Sequence, residues 1–249
     1  MTRLVAHDGR PRVLILAHEV HYRGGMEQAL AQLIAHTHSR VVNERGSRRD
    51  RLRRGGLSFG MVGRLAPWKG QDVFLRAFAR AFPDGDSRAI LVGAALFGET
   101  SYGEDLRVLA AKLGIADRVS FRGFREDVDA ELAMFDVLVH ASRSPEPAGQ
   151  VVLEGMSAGL PVVAADAGGP AEVIRDGANG RLFRIDDVTG LARILDELAS
   201  SPEDRRRLGV SARETAAAYR PDLVSPQLAA IYARALHAGS SWAARWRGL

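Results

Sequence analysis

The chain has 249 residues, an apolar fraction of 46% that is sufficient for a packed core, and a length between one large domain and two small ones. It contains no cysteine, which excludes disulfides and thiolate metal sites and favours a cytoplasmic protein. No window approaches about eighteen consecutive apolar residues, so no membrane span is predicted. The net charge of +4 suits a polyanionic ligand or an acidic lipid surface.

The first predicted elements are one strand and one helix. Residues 13–17 form an apolar run typical of a buried strand, and residues 26–35 have the apolar spacing of a helix, with Gly24 and Gly25 between them. Residues 40–56 are charged and interrupted by glycine. Their arginines lack the interleaved aromatic residues of many nucleic-acid sites, and the stretch also contains Glu44 and Asp50, so we interpret it as a solvated linker.

From residue 57 onward, strand and helix patterns alternate. Strands are predicted at 57–63, 89–93, 119–121, 137–141 and 162–165, and helices at 71–81, 104–113, 128–135, 150–158 and 170–174. From residue 186 the chain is predicted to be wholly helical, with Pro202 and Pro221 at helix starts. The alternation predicts an α/β fold with a doubly wound, Rossmann-like parallel sheet.

Ligands of such sheets bind beyond the carboxyl ends of the strands, and the loop after the first strand of this sheet is unusual there. It contains Gly63, Arg64 and Lys69 just before a helix. Two cations beside a helix N-terminus suit a phosphate group, although two unconnected surface cations are the alternative. The spacing is not that of a Walker A loop.

Two further strand ends carry candidate binding residues. Glu146 precedes a helix, Gly149 lies at its start and Glu154 lies within it. Carboxylates accept hydrogen bonds from sugar hydroxyls, whereas a capping Glu146 and a solvated Glu154 are the alternative. At the next strand end, Gly168 and Gly169 precede a helix and are expected to offer backbone amides to an anion.

Together these loops resemble the donor-binding domain of the retaining glycosyltransferases called group 1 or family 4, which have the two-domain GT-B fold. Gly63-Arg64-Leu65 with Lys69-Gly70 is similar to the family's Gly-Arg-Leu…Lys-Gly element, and Glu146 and Glu154 match its Glu-x7-Glu signature. Residues 159–164 and Gly168-Gly169 followed by Glu172 match its downstream pattern. The resemblance covers residues 57–183, with two departures: Ala148 stands where the family usually has Phe, and His140 stands at a frequent Pro.

The resemblance implies transfer of a sugar from a nucleoside diphosphate to a glycan or lipid-linked acceptor, without a metal or other cofactor. Arg64 and Lys69 would bind the diphosphate and stabilise it as leaving group. Glu146 would contact hydroxyls of the donor sugar, and Glu154 would hold the ribose hydroxyls. The remaining expected donor-binding positions are Gly63, Gly123, Phe124, Gly149, Gly24 and Gly25, with the backbone around Gly123 and Phe124 meeting the base.

The same resemblance divides the chain into four parts. Residues 1–39 would be a remnant of the N-terminal acceptor domain, 40–56 a linker, 57–220 the nucleotide-sugar-binding domain and 221–249 a helical tail. A doubly wound domain needs roughly 100 residues or more, so most of the acceptor domain is expected to be missing and little transfer is expected. The tail's Trp242 and Trp246 suit helix packing or peripheral contact with the inner membrane face.

Two other functions compete with a transferase. The first is a truncated protein that binds a nucleotide sugar and catalyses nothing. The second is a glycoside hydrolase that uses Glu146 and Glu154. Eight helical positions span about 12 Å along a helix, whereas hydrolase carboxylates lie roughly 5–9.5 Å apart. This spacing and the phosphate-type loop disfavour hydrolysis.

Overall fold

The computed structural model describes residues 56–96, 100–147, 149–220 and 223–224. The predicted strand at 13–17, the predicted helix at 26–35, Gly24 and Gly25 lie outside the described residues. So do the linker up to residue 55, Ala148, and the tail apart from residues 223–224.

Within the described residues, six strands alternate with seven α-helices. The strands are β1 (Ser58–Val62), β2 (Arg88–Val92), β3 (Val119–Phe121), β4 (Val137–His140), β5 (Val162–Ala165) and β6 (Arg181–Phe183). The helices are α1 (Gln71–Ala81), α2 (Thr100–Lys112), α3 (Val128–Leu132), α4 (Gln150–Ser157), α5 (Gly168–Val173), α6 (Val188–Ser200) and α7 (Pro202–Ala217).

The strands form one parallel sheet in the order β3-β2-β1-β4-β5-β6. β1 lies at its centre, where Phe59 is paired with Ala89 of β2 on one side and with Val137 of β4 on the other. The strand order reverses between β1 and β4, which makes this the point where an open α/β sheet leaves a crevice for a ligand. The doubly wound fold predicted from the sequence is confirmed.

The alternation of side chains along each strand divides the core into two layers. Phe59 of β1 and Val163 of β5 pack with α1 and α6 on one face of the sheet. Val162 of β5 packs with Met156 of α4 on the other face. Because α1 and α4 cover opposite faces, their first residues border the crevice between β1 and β4.

β6 was not predicted, and three helices begin or end more than one residue from their predicted limits. One of them, α5, begins at Gly168 rather than at Pro170. β6 is a three-residue edge strand that pairs only with β5 among the described strands. Its Arg181-Leu182-Phe183 sequence does not alternate, whereas the equally short β3 alternates apolar and polar residues as Val119-Ser120-Phe121. α2 begins four residues before the predicted position. α3 ends at Leu132 rather than at Phe135. Asp127 caps its N-terminus, where the carboxylate accepts a hydrogen bond from Ala130 N.

Candidate functional site

The loop after β1 is held against the ends of two neighbouring strands. Gly63 N donates to Val92 O at 2.9 Å, so the pairing of β1 with β2 continues one residue beyond β1. Residues Pro67–Lys69 then form one turn of 3₁₀ helix, which ends at Gly70 with φ of 74°. A Cβ at Gly70 would overlap Ala141 O, just beyond β4, so glycine allows the turn to reach this strand end.

The two cations of this loop lie around one aromatic ring. Lys69 Nζ is 4.4 Å from the ring centroid of Trp68, and Arg64 Cζ is 5.7 Å from it. Both distances are within cation–π range, so the ring attracts both cations. Sequence reasoning identified Arg64 and Lys69 but missed the ring of Trp68, which lies between them in the motif.

Glu146 lies in the loop after β4, in direct contact with Lys69. Lys69 Nζ is 2.8 Å from both carboxylate oxygens of Glu146, and the two side chains are 14% and 17% exposed. His140 Nε2 is 2.9 Å from Glu146 Oε1, and the Ser142 hydroxyl donates to the same oxygen. Since an ionised carboxylate only accepts, His140 carries a proton on Nε2. Sequence reasoning missed His140 and Ser142 as partners of Glu146, because neither role has a spacing signature.

The first residues of α5, which follows β5, hold the backbone of Glu146. Gly169 N donates to Glu146 O at 2.7 Å. Gly168 has φ of 60°, and a Cβ there would lie 2.5 Å from Glu146 O. Gly149, with φ of 54° at the start of α4, packs in the same way against Pro170. The amides of Gly168 and Gly169 were expected to meet an anion. For Gly169 this expectation was wrong, because its amide donates to the protein's own carbonyl.

The surroundings of Glu146 favour its ionised form. Burial by itself would raise its pKa, but the hydrogen bond and electrostatic attraction of His140, followed by those of Lys69, outweigh burial and lower the pKa to about 2. The ordinary pKa of a glutamate is 4.5. With its pKa lowered to about 2, the Glu146 carboxylate is fully ionised at neutral pH.

This shift predicts acid sensitivity. With its folded pKa below the unfolded value, Glu146 stabilises the fold above pH 4.5 and loses that contribution as the pH falls toward 2. The free-energy difference in unfolding between wild type and Glu146→Gln should shrink by roughly 2 kcal/mol between pH 6 and pH 3. Urea unfolding of both proteins at several pH values measures it. A difference that does not change with pH would contradict the assignment.

Three other candidate residues lie on other elements of the fold. Gly123, with φ of 70°, follows β3, and its carbonyl accepts a hydrogen bond from Gly93 N at 2.8 Å. The next residue, Phe124, is 69% exposed. Glu154 lies half-buried in the second turn of α4. The structure therefore brings Arg64, Lys69 and Glu146 together around Trp68, whereas Gly123 and Phe124 follow β3 and Glu154 belongs to α4.

The described residues contain no cluster of three or more His, Asp or Glu side chains arranged to hold a metal ion. In that same part of the chain, no helix combines the length and the apolar character needed to cross a bilayer.

Comparison with known proteins gives a consistent result. Residues 45–215 match the model of the family "Glycosyl transferases group 1". The chain is 39% identical over 135 residues to the putative glycosyltransferase EpsD of Bacillus subtilis, covering 54% of this chain and 35% of EpsD. It is 35% identical over 156 residues to the lipopolysaccharide core biosynthesis glycosyltransferase LpsE of Rhizobium meliloti, covering 62% and 43%. The chain thus spans less than half the length of these two relatives.

A solved structure is also similar. Anabaena Alr3699/HepE in complex with UDP-glucose superimposes with a TM-score of 0.70 and 34% sequence identity, over 78% of this chain and 54% of that one.

Proposed function

We propose that this chain, which belongs to the group 1 glycosyl transferase family, binds a nucleoside-diphosphate sugar in the crevice between β1 and β4. The sugar would pass, with retention of configuration, to a glycan or lipid-linked acceptor. The observation that carries this proposal is the contact between Lys69 and Glu146 at the reversal of strand order. It places a cation for phosphate beside a carboxylate for sugar hydroxyls.

The cations of the β1 loop would act on the leaving group. When the bond between the anomeric carbon and the diphosphate oxygen breaks, negative charge grows on the diphosphate. Lys69 and Arg64, both held around Trp68, would stabilise that charge more in the transition state than in the bound donor. Amides at the start of α1 would add to this field.

The carboxylate of Glu146 would orient the sugar. It is ionised at neutral pH, because its partners lower its pKa to about 2, and it therefore only accepts hydrogen bonds. Hydroxyl groups of a sugar are donors of the right kind. Because Glu146 is fixed through both its side chain and its carbonyl, it would hold the sugar at a constant distance from Lys69.

The nucleoside would lie along the remaining strand ends. We assign Glu154 to the ribose hydroxyls and the backbone of Gly123 and Phe124 to the base. The exposure of Phe124 is consistent with a ring that a base covers. The UDP-glucose in the Anabaena structure supports UDP as the first nucleotide to test, and the name of LpsE supports a glycan or lipid-linked acceptor.

The test is thermal unfolding of the full chain with UDP, ADP, GDP and their glucose conjugates. At a ligand concentration of 100 Kd, binding stabilises a protein by about 2.7 kcal/mol, or roughly 5–10 °C in Tm for this size. We expect one nucleoside diphosphate to do so, and its 2′-deoxy form to do so less if Glu154 binds ribose. No shift with any of them would overturn the proposal. Binding without transfer to any acceptor would favour the alternative, a nucleotide-sugar-binding protein without transferase activity.

A further inference from the structure

Arg143, three residues before Glu146, joins the β4 loop to the turn that carries Lys69. Its backbone amide donates to Trp68 O at 2.7 Å. One guanidinium nitrogen, Nη1, donates to Pro67 O at 2.8 Å. Both carbonyl acceptors belong to the 3₁₀ turn. Arg143 therefore binds the backbone of this turn, whereas Glu146 binds the side chain of its Lys69.

The guanidinium of Arg143 also binds Asp72 in a fork. Nη1 and Nη2 lie 2.8 and 2.9 Å from the two carboxylate oxygens of Asp72, in the first turn of α1. Tyr102 donates its hydroxyl to Asp72 at 3.1 Å. Burial would raise the pKa of Asp72, but the hydrogen bond and charge of Arg143 outweigh burial and lower it. Asp72 is therefore an ionised acceptor, and its two hydrogen bonds fix the orientation of the Arg143 guanidinium.

The same guanidinium also binds a residue in the segment after β6. Arg143 Nε is 2.6 Å from Asp186 Oδ1, in the segment between β6 and α6. Asp186 has φ of 60°, and among the described residues it is the only one other than glycine with a positive φ. This conformation costs roughly 1–2 kcal/mol for a residue with a Cβ. Arg143 thus connects the loops after β1, β4 and β6.

The hydrogen bonds of Arg143 fix the relative positions of the three loops more than they stabilise the fold. Arg143 is 32% exposed and Asp186 is 54% exposed, and ion pairs that are open to water contribute little to stability. A planar fork with several fixed acceptors nevertheless determines orientation, which a lysine in its place could not do.

We propose that Arg143 is a positioning residue that holds Lys69 Nζ against Glu146 in the arrangement that receives a diphosphate. The diphosphate part of this inference rests on the proposed function, whereas the effect of Arg143 on Lys69 does not. The two can therefore be tested separately.

The first experiment uses the lysine content of the chain. Lys69 and Lys112 are its only lysines, and Lys112 is exposed at the end of α2. Trace acetylation with acetic anhydride, read by mass spectrometry, reports how accessible each amine is. In wild type we expect Lys69 to react more slowly than Lys112, because it is paired with Glu146. Arg143→Gln should raise Lys69 labelling about fivefold, the factor equivalent to ~1 kcal/mol, and leave Lys112 unchanged.

Matched variants separate positioning from general loosening. Arg143→Lys should not restore slow labelling, because it lacks the fork. Arg193→Gln removes an exposed arginine paired with Glu197 on α6 and should leave Lys69 labelling at the wild-type rate. Asp72→Asn, which removes the charge of the fork's acceptor, should raise it, and it decides the question if Arg143→Gln does not fold. Unchanged labelling of Lys69 in a folded Arg143→Gln or Asp72→Asn protein overturns the proposal.

The second experiment is a double-mutant cycle on UDP binding, measured by calorimetry. Arg143→Gln should weaken UDP binding about tenfold in the wild-type background and have no further effect in the Lys69→Ala background. Equal effects in both backgrounds would show that Arg143 acts without Lys69 and would overturn the proposal. If wild type binds no nucleotide, the proposed function fails, and the labelling experiment still decides the role of Arg143.

Discussion

Lys69→Ala is expected to weaken UDP binding by ~1.5–3 kcal/mol, which is about 10- to 150-fold in Kd. The change removes the cation that would meet the diphosphate. It also removes the 2.8 Å partner of the Glu146 carboxylate, which would then lie beside the phosphates without its neighbouring cation. Loss of attraction and gain of repulsion act in the same direction, and titration calorimetry measures their sum.

Two further variants test this explanation. Lys112→Ala removes the other lysine, which lies exposed at the end of α2, and should change UDP affinity little. Adding Glu146→Gln to Lys69→Ala should recover part of the lost affinity, because the repulsion disappears. Equal effects of Lys69→Ala and Lys112→Ala would show that only net charge matters and would refute the assignment.

Gly70→Ala is expected to destabilise the fold by ~2–5 kcal/mol and to weaken UDP binding as well. Gly70 has φ of 74°, and its new Cβ would overlap Ala141 O. The backbone must therefore move at the junction between the Lys69 turn and the end of β4. Urea unfolding measures the stability, and calorimetry measures the binding.

Gly114→Ala is the matched control. Gly114 has φ of 72°, nearly that of Gly70, but a Cβ there would meet nothing within 4 Å. It should cost only the strain of the left-handed conformation, about 1–2 kcal/mol, and leave UDP binding unchanged. Similar losses for both variants would mean that the contact with Ala141 contributes nothing to stability.

The order of elements could be predicted because it depends on local patterns. Apolar runs alternating with amphipathic stretches identified five strands and the helices between them, and the parallel doubly wound sheet follows from that alternation. β6 was not predicted because Arg181-Leu182-Phe183 does not alternate apolar with polar residues, as the equally short β3 does. Its pairing with β5 exists only once the rest of the sheet has formed.

The candidate site divides in the same way. Gly63, Arg64, Lys69 and Glu146 were identified because glycines and charges after a strand are visible in the sequence. That Lys69 and Glu146 touch is a relation across 77 positions, which no local pattern contains. The hydrogen bond from Gly169 N to Glu146 O could not be predicted from the sequence either, because it depends on how closely two strand ends approach.

The sequence by itself therefore determined which residues stand at the strand ends and which family motifs they match. Only the tertiary structure decided how those residues are held. In the folded chain, His140 and Ser142 bind the Glu146 carboxylate, and Trp68 contacts two cations. Arg143 connects three loops. The physical reason is that a backbone pattern is set by neighbours in the chain, whereas a hydrogen bond or ion pair is set by distance. Those distances exist only after β1, β4 and β6 have been brought into one sheet.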